Sequence, residues 1–530
     1  MFALAIIIGT YSFLLLAVGI AGVLTIFTVL VLTLVFALCA LGLIYIEYRK
    51  LTPLELKLRL NRSHLLFIPL LLLILINLWG ALLPEIAFDA LWYHLTIPKI
   101  FLSQHGFKHI PGGVFYYSDM PKLIDLLFIP SVLAANETFA KLTHFMFGIL
   151  TLIALFRFSR LFLSFGYSLI VLLVFYSSLV VAWQSTTAFI DLGRTFFELL
   201  AFIGVYKFLK TKKPLWLVEG AVMMGFAISS KLVSFYSIII FSSLLLLDKT
   251  SFIKTKIKNV VIFVIASLLV PLPYFILSYL STGNPIYPFI FNGLSSDLSL
   301  IHLSPIKFVS DVTYIFLFSQ DPINPIYIIL FPIIFLNFRP LYKKYKFIAI
   351  YSITALVAWY ITPRTGGGRF LMAYLPVLSL FVVLALNEVK SVFLKKFTLA
   401  VIVFISLVAI FYRSAAQIHS IDYVIGKTSK AVYLSNNLNF DFGDFYDTDG
   451  YFESHIKGDD RVLIYGYHNL YYVDFPFVHE SYVKSGDEFN YILTGKDITL
   501  PSRFKYWDLV YENPKTYAKL YTFGGIKWQY

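Results

Sequence analysis

Apolar runs of about 20 residues recur along most of this chain, each long enough as a helix to cross the roughly 30 Å hydrocarbon core of a bilayer. Lipid offers the backbone no hydrogen-bond partner, so such runs must satisfy their peptide groups as helices. Only 14% of the 530 residues are charged and 59% are hydrophobic, whereas a soluble protein is about 25% charged. Spans are expected near 2–22, 25–46, 65–83, 139–160, 165–183, 190–209, 214–230, 232–247, 258–280, 325–338, 346–362, 369–387 and 397–412, about thirteen in all. The first has neither a basic leader nor a small-residue cleavage site, so it reads as a retained helix. The single cysteine, Cys39, lies inside an apolar run and permits no disulfide framework.

The net charge of +13 is segregated along the chain. Basic clusters follow spans two (Arg49, Lys50, Lys57, Arg59, Arg62), four (Arg157, Arg160), six (Lys207, Lys210, Lys212, Lys213), eight (Lys249, Lys254, Lys256, Lys258), ten (Arg339, Lys343, Lys344, Lys346) and twelve (Lys390, Lys395, Lys396). Lysine and arginine favour cytoplasmic loops. The expected protein is therefore a multi-pass cell-membrane protein with a cytoplasmic amino terminus, and its charge excess calls for no nucleic acid.

The remaining loops then face the other compartment, and they hold the unusual residues. Loop 84–138 carries Asp89, His94, Lys99, His105 and Asp119. Others are "STTAFIDLGR" around Asp191, "ISSKL" around Lys231, "STGNPIYPF" at 281–289 and "TPRTGGGRF" at 362–370. From about Arg413 the composition turns polar and acidic, with short β-prone runs at "RVLIYGY" and "NYILTG". The chain thus divides into a membrane domain, 1–412, and a small soluble extracytoplasmic α/β domain, 413–530. The stretch "DFGDFYDTDG" lacks the spacing and closing glutamate of a calcium loop.

If 89–97 is helical, Tyr93 shares the face of Asp89 at i+4 and His94 points away, with Pro98 ending or kinking the helix. Asp89 is also a natural cap for a helix beginning at Ala90. Asp191 opens a span, where an i,i+3 pair with Arg194 would be structural. Two carboxylates in desolvated surroundings suit a base and its partner, or metal ligands. Lys231 sits at a break between apolar runs, either snorkelling or meeting an anion. Arg369 begins a span behind Gly366, Gly367 and Gly368, where free N–H groups suit a phosphate, and Arg364 adds charge. Asn136-Glu137-Thr138 is a formal N-glycosylation triplet. Together these features suggest an anionic lipid head group beside a carboxylate base.

The pieces "FDALWYHLTIPKIFLSQHG", "AFIDLGRTFFELLAF", "MGFAISSKL", "GNPIYPF" and "GGGRFLMAYLP" resemble the GT-C glycosyltransferases, the superfamily that includes protein O-mannosyltransferases and lipid A aminoarabinose transferases. The resemblance covers most of 84–387 in the expected order. It implies an inverting transfer of a hexose or pentose from a polyprenyl-phosphate donor to a lipid, glycan or protein acceptor of the cell envelope. Asp89 would be the base, Asp191 the second acid, and Lys231, Arg369 and Arg364 the donor-phosphate cations. Tyr93, His94, Lys99 and Asn284 are the candidates for contacting substrate. Many relatives carry a second acid where this chain has Ala90, so a divalent metal on Asp89 and Asp191 stays open. The rival is a transporter or lipid-linked glycan flippase, which would place its charged residues near the membrane midplane. A non-catalytic scaffold and a polysaccharide polymerase are further alternatives.

Overall fold

A computed structural model describes residues 1–50, 62–111, 113–289, 305–319, 322–362 and 367–530. Lys57, Arg59, Arg364 and Gly366, singled out above, lie outside the described residues. The chain begins with α1 (Phe2–Ile20), α2 (Ile26–Lys50) and α3 (Phe67–Leu82). The long loop that follows folds into three short helices, α4 (Thr96–Ser103), α5 (Leu123–Leu126) and α6 (Ile129–Leu133). Then come α7 (Glu137–Ser159), α8 (Phe165–Tyr176), α9 (Leu179–Gln184), α10 (Asp191–Thr211), α11 (Pro214–Ser230) and α12 (Phe235–Leu246). The rest of the bundle is α13 (Ile253–Leu269), α14 (Leu272–Thr282), α15 (Pro305–Leu317), α16 (Pro325–Leu336), α17 (Phe338–Ile361), α18 (Gly368–Met372), α19 (Leu375–Glu388) and α20 (Val392–Ile418).

Among the described residues five helices are long and apolar enough to cross a membrane, or up to seven if the bent pairs α13/α14 and α16/α17 each make one span. The expected number of about thirteen spans is not confirmed by this count; shorter apolar helical stretches at Phe165–Tyr176, Pro214–Ser230, Leu232–Leu246 and Leu375–Glu388 stand at other expected positions. Several expected spans are short or broken: 165–183 divides at Ser177 and Ser178, and 369–387 divides between α18 and α19. The basic stretch 339–346, expected as a loop, continues α17, which meets α16 at a bend of 113°. Amphipathic α15 had no counterpart among the expected spans.

Helix α10 is buried nearly all round although it carries Asp191, Arg194 and Glu198. It lies against antiparallel α11 through Gly204 and Gly220, where a Cβ on Gly204 would come within 2.7 Å of the Gly220 Cα. Small residues allow this backbone contact, as they do between membrane helices generally. Because the helices run in opposite senses, the first residue of α10 and the residue after α11, Asp191 and Lys231, emerge at one end of the bundle.

Helix α20 runs past Arg413 to Ile418, so the long-helix region ends a few residues later than the composition shift suggests. Beyond it come α21 (Ile421–Val424), α22 (Lys430–Asn437), α23 (Tyr451–His455) and the strands β1 (Val462–Tyr465), β2 (Phe477–His479), β3 (Glu488–Phe489), β4 (Tyr491–Thr494), β5 (Asp508–Glu512), β6 (Lys519–Thr522) and β7 (Trp528–Gln529). Five strands form a mixed sheet in the order β2-β1-β4-β6-β5, with β1 parallel to both neighbours. Strand β1 is buried on both faces. Val462 and Ile464 join the main core, and Leu463 and Tyr465 join a second core with Phe489, Phe504 and Trp507. That accounts for its unbroken apolar run.

Polar clamps seat this domain on the bundle. The Lys99 ammonium donates to the carbonyls of Tyr471 and Val473 at 2.7 and 2.6 Å, the Tyr472 hydroxyl donates to the Glu85 carbonyl at 2.8 Å, and Lys430 pairs with Glu137 at 2.8 Å. Lys99 is thereby engaged by the domain. Asn136 caps α7, its side chain accepting from the Thr138 N–H at 3.0 Å. Replacing Lys99 with Met strips a donor from two carbonyls, at a cost of about 1–3 kcal/mol. Lys99→Met should therefore speed amide hydrogen exchange across 466–474 while leaving exchange in α10 unchanged.

Candidate active site

After the irregular stretch 84–87 the chain turns helical at Phe88 and Asp89 and makes a π-turn over Ala90–His94, closed by the Leu95 N–H on the Ala90 carbonyl at 2.9 Å. Asp89 makes no side-chain capping bond to that turn, so the capping role is not realised. Its carboxylate instead accepts from Arg369 Nη1 at 2.8 Å. Arg369 is the second residue of α18, set by Gly367, whose φ of +54° favours glycine. The same guanidinium reaches Asp191 Oδ2 at 3.2 Å through Nη2, and Lys231 Nζ donates to Asp191 Oδ1 at 2.6 Å. Four side chains from four distant segments thus form one ion-paired quartet of zero net charge.

Its members differ in exposure, and this separates their roles. Asp191 is buried and hemmed in by two cations, whereas the Asp89 side chain keeps 21% of its surface open. Arg369 lies over the Phe189 ring at 4.6 Å, and Lys231 over Phe370 at 5.0 Å, so aromatic faces back both cations. Burial works to raise the Asp89 pKa, but the Arg369 and His94 charges and the hydrogen bonds from Arg369 and Tyr93 together outweigh it and hold the carboxyl below its usual range. Burial pushes the Lys231 ammonium down to about 8 against the pull of Asp191. Burial and then the Asp89 charge drive the neighbouring Tyr93 phenol well above its ordinary value, so it remains a hydrogen-bond donor.

Asp89, Asp191, Lys231, Arg369 and Tyr93 are brought together. His94 is turned away from solvent, its Nδ1 2.6 Å from Asp125 Oδ1, with both side chains buried. Asn284 is also buried, donating to the Phe289 carbonyl at 2.7 Å and accepting from the Ile286 N–H at 3.1 Å, so it holds its own turn. Among the described residues no group of three or more His, Cys, Asp or Glu is placed to hold a metal ion. Asp89 and Asp191 share Arg369, so these carboxylates as arranged do not make a metal cage.

Beneath the quartet lies a buried network that the sequence reading missed. Arg194 pairs not with Asp191 but with Glu198 one turn on, at 2.7 Å, and reaches the Tyr374 hydroxyl at 3.4 Å. Ser234 and Ser237 donate to Glu198 at 2.9 and 2.7 Å. This ties α10 to the chain on either side of the α12 start and to the residue between α18 and α19. An arginine and a glutamate four apart inside an apolar run were the available signal.

No family model and no curated protein matches the sequence. Among solved structures, ArnT from Cupriavidus metallidurans bound to undecaprenyl phosphate aligns over 88% of this chain and 99% of its own, with a TM-score of 0.55 at 12% identity. Its apo form aligns over 87% and 97%, with a TM-score of 0.54 at 12% identity. The chain has the fold of ArnT. An oligosaccharyltransferase from Archaeoglobus fulgidus, in complex with Zn and sulfate, is more distant, with a TM-score of 0.48 and 14% identity over 86% of this chain and 72% of that one.

Within this fold, the Arg194–Glu198 pair is a buried charge pair whose halves depend on each other. Removing one partner of such a pair costs about 3–5 kcal/mol. Glu198→Ala should lower the Tm of the detergent-solubilised protein sharply, and adding Arg194→Met to it should restore part of the loss.

Proposed function

We propose that the protein is an inverting glycosyltransferase that moves a sugar from a polyprenyl-phosphate donor to an acceptor on the extracytoplasmic face of the membrane. The observation that carries this reading is the Asp89–Arg369–Asp191–Lys231 quartet at one end of a GT-C bundle. ArnT, which shares the fold, has been crystallised with undecaprenyl phosphate. The location supports the reading over a transporter or flippase, because the charged groups stand at helix ends and not midway along them. The basic clusters around 207–213, 249–258 and 390–396 follow the opposite ends of α10, α12 and α19, in keeping with an extracytoplasmic site.

In this mechanism Arg369 and Lys231 receive the donor phosphate, held in place from behind by Asp191. Arg369 carries fewer obligations to Asp89 once it is shared with a phosphate oxygen, so the Asp89 pKa rises as the donor binds. The acceptor hydroxyl then gives its proton to Asp89 as its oxygen bonds to the anomeric carbon. The bond from that carbon to the phosphate oxygen breaks, and the electron pair stays on the prenyl phosphate, where the two cations stabilise it. Tyr93 steadies the Asp89 carboxylate by donating to it. Arg364 belongs to the same proposed cation set.

A general base is worth about 10²–10⁴-fold in rate. In nanodiscs supplied with polyprenyl-phosphate sugars, Asp89→Asn should lose turnover by about that factor while still binding undecaprenyl phosphate. Wild-type turnover in that variant would remove Asp89 from the mechanism.

Lys231 supplies a pH test. Its ammonium is protonated below about 8 and neutral above, so undecaprenyl phosphate should bind more weakly as the pH rises from about 7 to about 9. Lys231→Arg, charged throughout, should flatten that dependence in equilibrium binding titrations.

A further inference from the structure

The walls around Asp89 bear on the acceptor, and the inference drawn from them rests on the transferase reading above. Phe88 and Trp92, on the helical turn that carries the acid, pack together with ring centroids 5.5 Å apart, and the Asp89 charge reaches Tyr116 and Tyr117. Tyr117 stands edge-on to Trp92 at 5.2 Å, and Tyr116 stacks on Tyr117 at 4.1 Å. The small C-terminal domain completes this surface. Its Phe442 meets Phe88 at 5.1 Å, and its His468 packs edge-on against Phe88 at 5.1 Å and Trp92 at 5.6 Å.

These rings are only partly covered, and Phe442 is 60% exposed. An aromatic side chain left so open at a domain junction contributes little to the core. Its presentation is nonetheless fixed. Gly443 has a φ of +86°, and a Cβ there would come within 2.2 Å of the His468 ring, so only glycine lets that ring lie against the backbone. The Gly443 carbonyl accepts from the Asn469 N–H at 3.1 Å, joining the segments that carry the two rings.

The surface carries no formal charge. Phe88, Trp92, Tyr116, Tyr117 and Phe442 are neutral, and burial lowers the His468 pKa, which keeps it neutral near pH 7. A neutral ring surface beside a carboxylate offers nothing to an ionic head group. It lies where the soluble domain meets the loop. A sugar ring matches it, with C–H bonds on one face to lie on an aromatic ring and hydroxyls at the rim for the phenols and the imidazole.

We infer that Phe88, Trp92, Tyr116, Tyr117, Phe442 and His468 form an acceptor subsite that stacks a neutral saccharide ring and presents its hydroxyl to Asp89, so that the acceptor is a glycan and the C-terminal domain helps to select it. Phe442 and His468 bind; they take no part in the chemistry.

The full-length protein in nanodiscs is titrated with neutral gluco-, manno- and galacto-configured oligosaccharides and followed by saturation-transfer-difference NMR. Undecaprenyl phosphate binding is measured in parallel. Saturation should pass to ring C–H protons in the wild type. A single aromatic contact is worth about threefold to tenfold in affinity, so Phe442→Ala should weaken glycan binding by about that much, with Phe442→Trp restoring it. Phosphate binding should be unchanged in both variants, which keeps this test separate from that of the donor site. The inference is overturned if no oligosaccharide gives saturation transfer, if Phe442→Ala leaves the transfer unaltered, or if a tryptophan-containing peptide binds there in preference to every glycan. Loss of phosphate binding in the wild type would instead strike the transferase reading itself.

Discussion

Arg369 holds two carboxylates at once, and the arrangement of the bundle around the site follows from that fork. A buried aspartate such as Asp191 is costly unless cations lie against it. Here Arg369 and Lys231 both do, at 3.2 and 2.6 Å. For these groups to meet, the helical turn after α3, the start of α10, the break after α11 and the glycine-led start of α18 must converge on one end of the bundle. The breaks that shorten or divide the helices are therefore what bring the charges together.

Much of this was legible in the amino acids. Asp89, Asp191, Lys231 and Arg369 stand out because each is a charge at the margin of an apolar run, and the alternation of basic loops assigns them a common side. The structure brings residues 89 and 369 into direct contact. Helical periodicity served less well around Asp89, because a π-turn follows it and carries His94 to Asp125. Nothing in the local pattern announces a π-turn. Lys99 and Asn284 look like site residues for the same reason as Lys231, being polar groups in non-helical loops beside the membrane. Their partners are backbone carbonyls far along the chain in one case and within the same turn in the other, and only the folded chain distinguishes those outcomes. Glu198 was hidden because a charge in mid-span gives no hint of the arginine and serines that satisfy it.

The C-terminal domain is clamped onto the membrane domain. Its strands read as β-prone in sequence, yet nothing there foretold that Lys99, Glu85 and Glu137 of the membrane domain would all engage it. These clamps accompany the contact of the domain's Phe442 and His468 with Phe88 and Trp92. Its main core is continuous with that of the bundle through β1.

The backbone contact between Gly204 and Gly220 has a mechanical consequence. It lies well along α10 and α11 from Asp191 and Lys231, at the point where two rods touch like the pivot of a pair of tongs. A methyl group wedged there tilts the rods, and the displacement grows with lever arm towards the tips. A substitution at Gly204 or Gly220, eleven or more residues from the nearer charge, therefore acts on the gap across which Lys231 Nζ stands 2.6 Å from Asp191 Oδ1.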